Sequence, residues 1–351
     1  MAGAARGGPR RPAQVITARE NRVSIDWHES ASDPPSGNAR LAVTEARAEA
    51  FLRDRFGREA GGVEAVVQGE WSQAYAFSRG DRELIIRFSA LVEDFAKDRL
   101  AAGYSSPELP IPRVVEIGEA FGGYFAISER ARGDYLDALD ERRMRELLPA
   151  LFRALDTARL ADLSASRGYG GWRADGTAPH ATWRDALLEV AEDRPTDRIR
   201  GWRARLAQSP TGLGPFEEAF ERFRCLLAYA PADRHLIHSD LLNHNALVAG
   251  DRFTAVFDWG CSMYGDFLYD VAWFSFWSDW FPAWRGIDFV AEAARHYQSI
   301  GLDVPGFECR VRCYELHIGL AHFAYNAFKG RWDDLESVTS KTLDLARLST
   351  G

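Results

Sequence analysis

The chain has 351 residues, 46% of them hydrophobic and 27% charged, which is enough apolar material for two packed lobes and ordinary for a globular protein. Its formal net charge of -8 argues against nonspecific nucleic-acid binding, which needs a basic face, and is compatible with a cationic small-molecule partner. The sequence has no apolar run long enough to span a membrane and no signal-peptide hydrophobic stretch despite Arg10-Arg11, so a cytoplasmic protein with no membrane partner is expected.

Residues 1–40 are rich in Ala, Gly, Arg, Pro and Ser and show little apolar periodicity. Such a segment buries too little surface to offset the entropy of ordering, and it reads as a disordered tail, a pattern that an incorrectly assigned start would share. Thr44 followed by residues 45–56 and Gly57 predicts a capped amphipathic helix with a glycine stop. Residues 63–68, 75–78 and 84–88 then carry strand character, separated by turn-like residues, as an antiparallel sheet requires. A helix over 93–102 follows, then strands from Leu109 through Ile117 and over 124–129. Beyond Glu141 the pattern turns helical, over 141–160, 183–191, 214–228, 269–277, 287–300, 307–328 and 333–345, with loops at 168–176 and 194–201. No internal repeat is present. The four cysteines, Cys225, Cys261, Cys309 and Cys313, lack zinc-ligand or secreted-scaffold spacing and read as reduced structural thiols.

The chemistry concentrates between His238 and Asp258. His238-Ser239-Asp240-Leu241-Leu242-Asn243-His244-Asn245 has the form His-x-Asp-x-x-x-x-Asn, in which one tight loop presents an Asp to a nucleophile and, five residues on, an Asn to a metal. Thr254 to Phe257 predicts a short buried strand that delivers Asp258 from the other side, with Gly260 allowing a sharp exit. A polar surface turn is the bland alternative to the first element alone; Asn245 and Asp258 in register make it a phosphoryl-transfer site. Asp240 is then the catalytic residue, Asn245 and Asp258 the Mg²⁺ ligands, and His238 a brace for the loop.

These stretches, with Gly265-Asp266-Phe267-Leu268-Tyr269-Asp270-Val271-Ala272, resemble the antibiotic phosphotransferases of the aminoglycoside phosphotransferase family. The similarity runs from about Leu41 to Leu345. Phe95-Ala96-Lys97-Asp98-Arg99, Leu109-Pro110-Ile111-Pro112, Thr182-Trp183-Arg184-Asp185 and Gly319-Leu320 narrow it to the branch that acts on hygromycin B. The resemblance implies an α+β, protein-kinase-like two-lobe fold: a small antiparallel-sheet lobe over 41–131 that binds nucleotide, and a larger, mainly helical lobe over 132–351. It implies ATP and Mg²⁺ as cofactors and a cationic antibiotic as the small-molecule partner. A monomer is expected.

Within that frame Arg87 stands where the fold usually holds a phosphate-binding Lys, a replacement that changes shape and hydration but still permits bidentate phosphate contact. Asp98 is its expected partner, Glu93 the alternative, and a surface ion pair the bland reading. The loop Gly69-Glu70-Trp71-Ser72-Gln73 lies where a protein kinase carries its glycine-rich loop; with one glycine it is equally an ordinary hairpin, and Ser72 is the side chain that would assist phosphate binding. Ser128, Glu129, Arg130 and Ala131 form the implied adenine hinge, with Gly133 its exit. For substrate, Asp266, Asp279, Trp277 and Trp280 are the candidates. Residues 233–288 hold eight Asp and three Arg, and Trp273, Trp277, Trp280 and Trp284 recur at helical intervals, as either a core stripe or an aromatic wall for sugar rings. Asp270 is read equally as a third carboxylate for ammonium groups and as a cap or brace of its own helix, and Asp266 also as a support of the catalytic loop. The rival readings are a kinase of another hydroxyl compound, such as a macrolide or metabolite, and a nucleotide-binding pseudokinase.

Overall fold

The computed structural model describes residues 41–66 and 72–348. The tail expected over 1–40 and most of the loop expected at 69–73 lie outside the described residues.

Helix α1 (Glu45–Phe56) begins where Thr44 Oγ1 accepts the Arg47 N–H at 3.3 Å, and it ends where the Gly57 N–H donates to the Arg53 carbonyl, as its sequence signals predict. Strands β1 (Ala60–Ala65), β2 (Ser72–Arg79) and β3 (Arg82–Ser89) follow. Then come α2 (Glu93–Ala101), β4 (Val114–Ala120) and β5 (Gly123–Glu129). The strands form one antiparallel sheet in the order β1-β2-β3-β5-β4. Period-two alternation sorts β3 into two faces: Leu84, Ile86 and Phe88 are buried with Leu52, Phe77 and Phe125 under α1, while Arg87 points to the opposite side, toward α2. Sequence placed the start of β4 at Leu109. The strand begins instead at Val114, and the segment before it is held elsewhere, with the Pro110 carbonyl accepting the Val256 N–H at 2.7 Å.

A two-residue strand, β6 (Asp134–Tyr135), leaves the sheet and pairs with β9 (Ala246–Ala249), which itself pairs with β10 (Arg252–Val256). Gly133 permits this crossing, since a Cβ there would lie 2.6 Å from the Val248 carbonyl. Between β6 and β9 come α3 (Glu141–Arg159), β7 (Gly170–Gly171), α4 (Trp183–Leu188), α5 (Trp202–Gln208), α6 (Gly214–Leu226) and β8 (His235–Ile237). After β10 come β11 (Met263–Gly265), α7 (Leu268–Trp277), α8 (Phe289–Ser299), α9 (Phe307–Lys329) and α10 (Trp332–Arg347). The long α9 packs against α7, α6, α5 and α10 and forms the centre of the helical core. β11 joins β7 and β8 in a second small sheet, so the segments entering the His238 loop and leaving the Asp258 loop are pinned side by side. The helix expected over 183–191 relaxes into a 3₁₀ turn at Glu189–Ala191. α5 and the strands of two or three residues were not anticipated, because elements that short carry no periodicity. The four cysteines are free, and no helix among the described residues is long and apolar enough to cross a membrane.

Candidate active site

Strand β8 ends at Ile237 and the chain enters a loop with three left-handed residues, Ser239, Asn243 and His244, at φ of 60°, 63° and 66°. Non-glycine residues hold that conformation only when their surroundings fix it. Here Asp270, in the first turn of α7, accepts the N–H groups of His238 at 3.0 Å and Ser239 at 2.7 Å. Ser239 Oγ donates to the Cys261 carbonyl at 2.7 Å, joining this loop to the next. His238 Nε2 lies 3.1 Å from the Phe257 carbonyl and its Nδ1 accepts the Asp240 N–H at 3.2 Å. The tautomer that satisfies both contacts is neutral, with its proton on Nε2, and burial pushes the ring down to about 4, so it is neutral at physiological pH. Both ring nitrogens of His238 are thus engaged with the backbone of the two loops, as a bracing role would require.

Asp240 is held from both sides. Asn243 Nδ2 donates to its Oδ1 at 2.8 Å, and Asn245 Nδ2 donates to its backbone carbonyl at 2.8 Å and its Oδ2 at 3.1 Å. Because both Asn245 contacts use the amide nitrogen, the carbonyl Oδ1 is the atom left to meet a cation. Burial and then the nearby Asp258 carboxylate hold Asp240 well above the usual carboxylate range, against the pull of the two asparagine amides.

Asp258 follows β10 in the left-handed region, at φ 61° and ψ 64°. Sequence assigned the sharp turn to Gly260; the positive φ falls instead on Asp258, and Gly260 serves close approach, since a Cβ there would meet the Asp94 carboxylate at 3.3 Å and Asp258 Oδ1 at 3.4 Å. Helix α2 clasps this loop. Asp98 Oδ1 accepts the Trp259 N–H at 2.8 Å while its Oδ2 pairs with the Arg87 guanidinium. Lys97 Nζ donates to the Gly260 carbonyl at 2.5 Å and sits 4.9 Å from the Trp172 ring centroid. Asp94 pairs with Arg198 at 2.8 Å. Burial alone would push Arg87 down, but the Asp98 and Asp258 carboxylates outweigh it and hold the guanidinium above its ordinary value. Asp258 is pushed up to about 6 by burial and then by Asp98, with Arg87 opposing. The Arg87–Asp98 pair is thus a buried one, with side chains 15% and 6% exposed, and not the surface pair of the bland reading; Glu93 is exposed at the start of α2.

The remaining sequence candidates separate. Ser72 opens β2, opposite Ser89. Ser128 is buried near the end of β5, while Glu129 pairs with Arg113 at 3.0 Å and Arg130 with Glu64 at 2.7 Å. The N–H groups of Glu129 and Arg130 are bonded to the Arg113 and Glu83 carbonyls. Asp266 requires correction. It is fully buried, accepts Arg310 Nε at 2.8 Å and Nη2 at 2.6 Å together with the Tyr314 hydroxyl and the Leu268 N–H, and so has no capacity to meet a substrate. The loop support read for Asp266 belongs to Asp270, and Asp270 braces more than its own helix. A carboxylate on the apolar helix Leu-Tyr-Asp-Val-Ala-Trp-Phe-Ser-Phe-Trp had to be bonded in the core, which was the available signal. Trp273 and Trp277 are buried against each other and His322, as a core stripe requires. Trp280 is partly exposed, stacked on Phe276 at 5.9 Å, and Asp279 is exposed beside Lys341 of α10. Lys97, Asp94 and Arg198 were not singled out for the site, since their roles depend on contacts with distant segments; Asn243, three residues from Asp240, was missed although its contact is local.

The sequence model of the phosphotransferase enzyme family matches residues 63–308. Hygromycin-B 4-O-kinase of Escherichia coli is 30% identical over 294 residues, covering 83% of this chain and 82% of that protein. A crystal structure of the aminoglycoside phosphotransferase APH(4)-Ia aligns with a TM-score of 0.77 at 28% identity, over 88% of this chain and 100% of that one. A thermostable mutant of APH(4)-Ia in ternary complex with AMP-PNP and hygromycin B aligns with a TM-score of 0.74 at 28% identity, over 85% and 97%.

Proposed function

The chain belongs to the phosphotransferase enzyme family, and from that premise we propose that it is an ATP-dependent O-phosphotransferase that modifies a hydroxyl of an aminocyclitol or aminoglycoside antibiotic, hygromycin B first among them. The observation that carries the reading is the gathering of Asp240, clamped by Asn243 and Asn245, near Asp258, which in turn faces the buried Arg87–Asp98 pair. Nucleotide and substrate follow from similarity along most of the chain to a kinase named for hygromycin B and to a protein crystallised with AMP-PNP and hygromycin B.

Asn245 Oδ1 and the Asp258 carboxylate are the oxygens suited to Mg²⁺, an ion that takes one or two protein ligands and completes its shell with water and phosphate. Bound there, Mg²⁺ would neutralise the charge of the β- and γ-phosphates. Arg87, fixed by Asp98, orients the phosphates from the sheet side. Asp240 accepts a hydrogen bond from the acceptor hydroxyl, aligns it with the γ-phosphorus and takes its proton as the new P–O bond forms and the bond from the γ-phosphorus to the β,γ-bridging oxygen breaks, releasing ADP; positioning and charge account for most of the rate, so Asp240 need not be a strong base. With the N–H groups of Glu129 and Arg130 already bonded, adenine pairing falls to the hinge peptides that follow. Asp279 and Trp280, backed by Trp277, are our candidates for the rim that meets the substrate's ammonium groups and ring faces.

Expression in a sensitive bacterium is expected to raise hygromycin B resistance, and the purified protein with ATP to give a mono-phosphorylated product by mass spectrometry, with kanamycin-type aminoglycosides poor substrates. Protection against a macrolide and not hygromycin B would replace the substrate; nucleotide binding without phosphorylation of any hydroxyl compound would make the protein a binding module.

A further inference from the structure

We infer that Asp137 is a positioning residue of the phosphoryl-transfer site, holding the left-handed turn that aims Asn243 and Asn245 at Asp240; the inference rests on the phosphotransferase reading above. Asp137 lies in the 3₁₀ turn Leu136–Ala138 directly after β6, more than a hundred residues from the catalytic loop in sequence. β6 carries it there by pairing Asp134 with Val248 and Tyr135 with Leu247, on the strand that leaves Asn245. Its Oδ2 accepts the His244 N–H at 3.0 Å and lies 3.6 Å from His244 Nδ1, while the Tyr135 ring packs edge-on to the His244 ring with centroids 4.8 Å apart. The side chain is 10% exposed, and Oδ1 is a buried oxygen with no partner among the described residues.

The turn is the part of the loop that needs an external hold. Asn243 and His244 are consecutive non-glycine residues at positive φ, a conformation each disfavours. Their neighbours on both sides are the two amides that grip Asp240: Asn243 Nδ2 on Oδ1 and Asn245 Nδ2 on Oδ2. If the His244 peptide relaxed toward negative φ, Asn243 would turn away from Asp240 and Asn245 would carry its metal-facing carbonyl with it. Asp270 anchors the loop only at His238 and Ser239, at its entry. Among the described residues Asp137 is the side chain that bonds a backbone N–H at the far end of the loop. A buried carboxylate oxygen left unpartnered costs folding energy, and strain of that kind is found where the geometry of a site requires it. Its charge also contributes to holding Asp240 above the ordinary carboxylate range, after burial and Asp258.

The test compares Asp137→Ala and Asp137→Ser, neither of which reaches the His244 N–H, with Asp137→Asn, whose amide oxygen does. Mg²⁺-dependent binding of a fluorescent ATP analogue is measured first, without acceptor, and then kcat with hygromycin B across a Mg²⁺ titration. Both truncations should raise the Mg²⁺ concentration at half-maximal rate at least fivefold and lower kcat at least tenfold with the melting temperature within a few degrees of the parent, whereas Asp137→Asn should stay within about threefold on both measures. Parent-like kcat and Mg²⁺ dependence in a folded Ala or Ser variant overturns the inference, as does an Asn variant no better than Ala. Parent protein that binds the nucleotide without any dependence on Mg²⁺ instead overturns the phosphotransferase reading.

Discussion

Replacing Asp98 tests the clasp between α2 and the Asp258 loop. Asp98 has two jobs on two oxygens: Oδ2 neutralises Arg87 and Oδ1 takes the Trp259 N–H, so its removal leaves a buried cation and a buried donor together. With the pair's side chains 6% and 15% exposed, breaking it by truncating one partner should cost about 3–5 kcal/mol. The orphaned Trp259 N–H accounts for about 1–3 kcal/mol on its own and partly overlaps that figure, which places Asp98→Ala near 4 kcal/mol. At about 1.5 °C per kcal/mol for a chain longer than 300 residues, the melting temperature should fall by roughly 6 °C. Asp98→Asn keeps an acceptor for Trp259 but turns an amide toward the guanidinium, and should cost about 3 kcal/mol. An apolar double replacement, Arg87→Met with Asp98→Leu, should be less destabilising than either truncation alone, because no charge is left unpaired. The assay is a double-mutant cycle by denaturant unfolding at low salt and at 1 M salt. A buried pair keeps its coupling in high salt, whereas an exposed one loses it. A cost below about 1 kcal/mol for Asp98→Ala, or a coupling that vanishes in salt, would refute the argument that this pair is desolvated and joins the phosphate clamp to the metal loop.

Asp240→Asn keeps the shape and removes the proton acceptor, so kcat should fall by orders of magnitude with ATP affinity little changed; a fall of less than about tenfold, or roughly 1.4 kcal/mol, would remove Asp240 from its role. Asp258→Ala should abolish turnover and make nucleotide binding nearly insensitive to Mg²⁺, and Asn245→Ala should be milder because water replaces a neutral ligand more readily; titration calorimetry of ADP with and without Mg²⁺ distinguishes them. Asp266→Ala should lower stability by several kcal/mol, since it strands buried Arg310, and leave the KM for substrate near that of the parent if the protein folds; a raised KM with unchanged stability would return Asp266 to the substrate site. His317, buried and pushed down to about 3 by burial first, stays neutral in the folded state while its unfolded counterpart takes a proton near 6.5. Its contribution to stability is therefore present above pH 6.5 and is lost as pH falls toward 3. His317→Gln should flatten the stability curve below pH 6.5 by about 1.4 kcal/mol per pH unit, as read from urea melts at successive pH values.

The arrangement of the His238–Asn245 loop was legible in the sequence because it is local. His238, Asp240 and Asn245 lie within eight residues, and one loop with neighbouring strands presents them whatever the rest of the chain does. The cap of α1, the alternation of β3 that turns Arg87 away from Leu84, Ile86 and Phe88, and the apolar periodicity of α3 are likewise set by nearest neighbours. What tertiary structure alone decided is which carboxylate meets which partner. Asp266 lies just before α7 and Asp270 in its first turn, and sequence offered both carboxylates to the site. Only the approach of Arg310 and Tyr314 from α9 fills the first, and only the entry of the His238 loop over the start of α7 gives the second its two backbone donors. The same holds for Asp98, whose second contact is with Trp259, 161 residues away, and for Asp137, brought to His244 by a strand of two residues that no periodicity could announce. A carboxylate's role follows from the donors that close around it, and in this chain those donors come from elements far apart in sequence that only packing brings together.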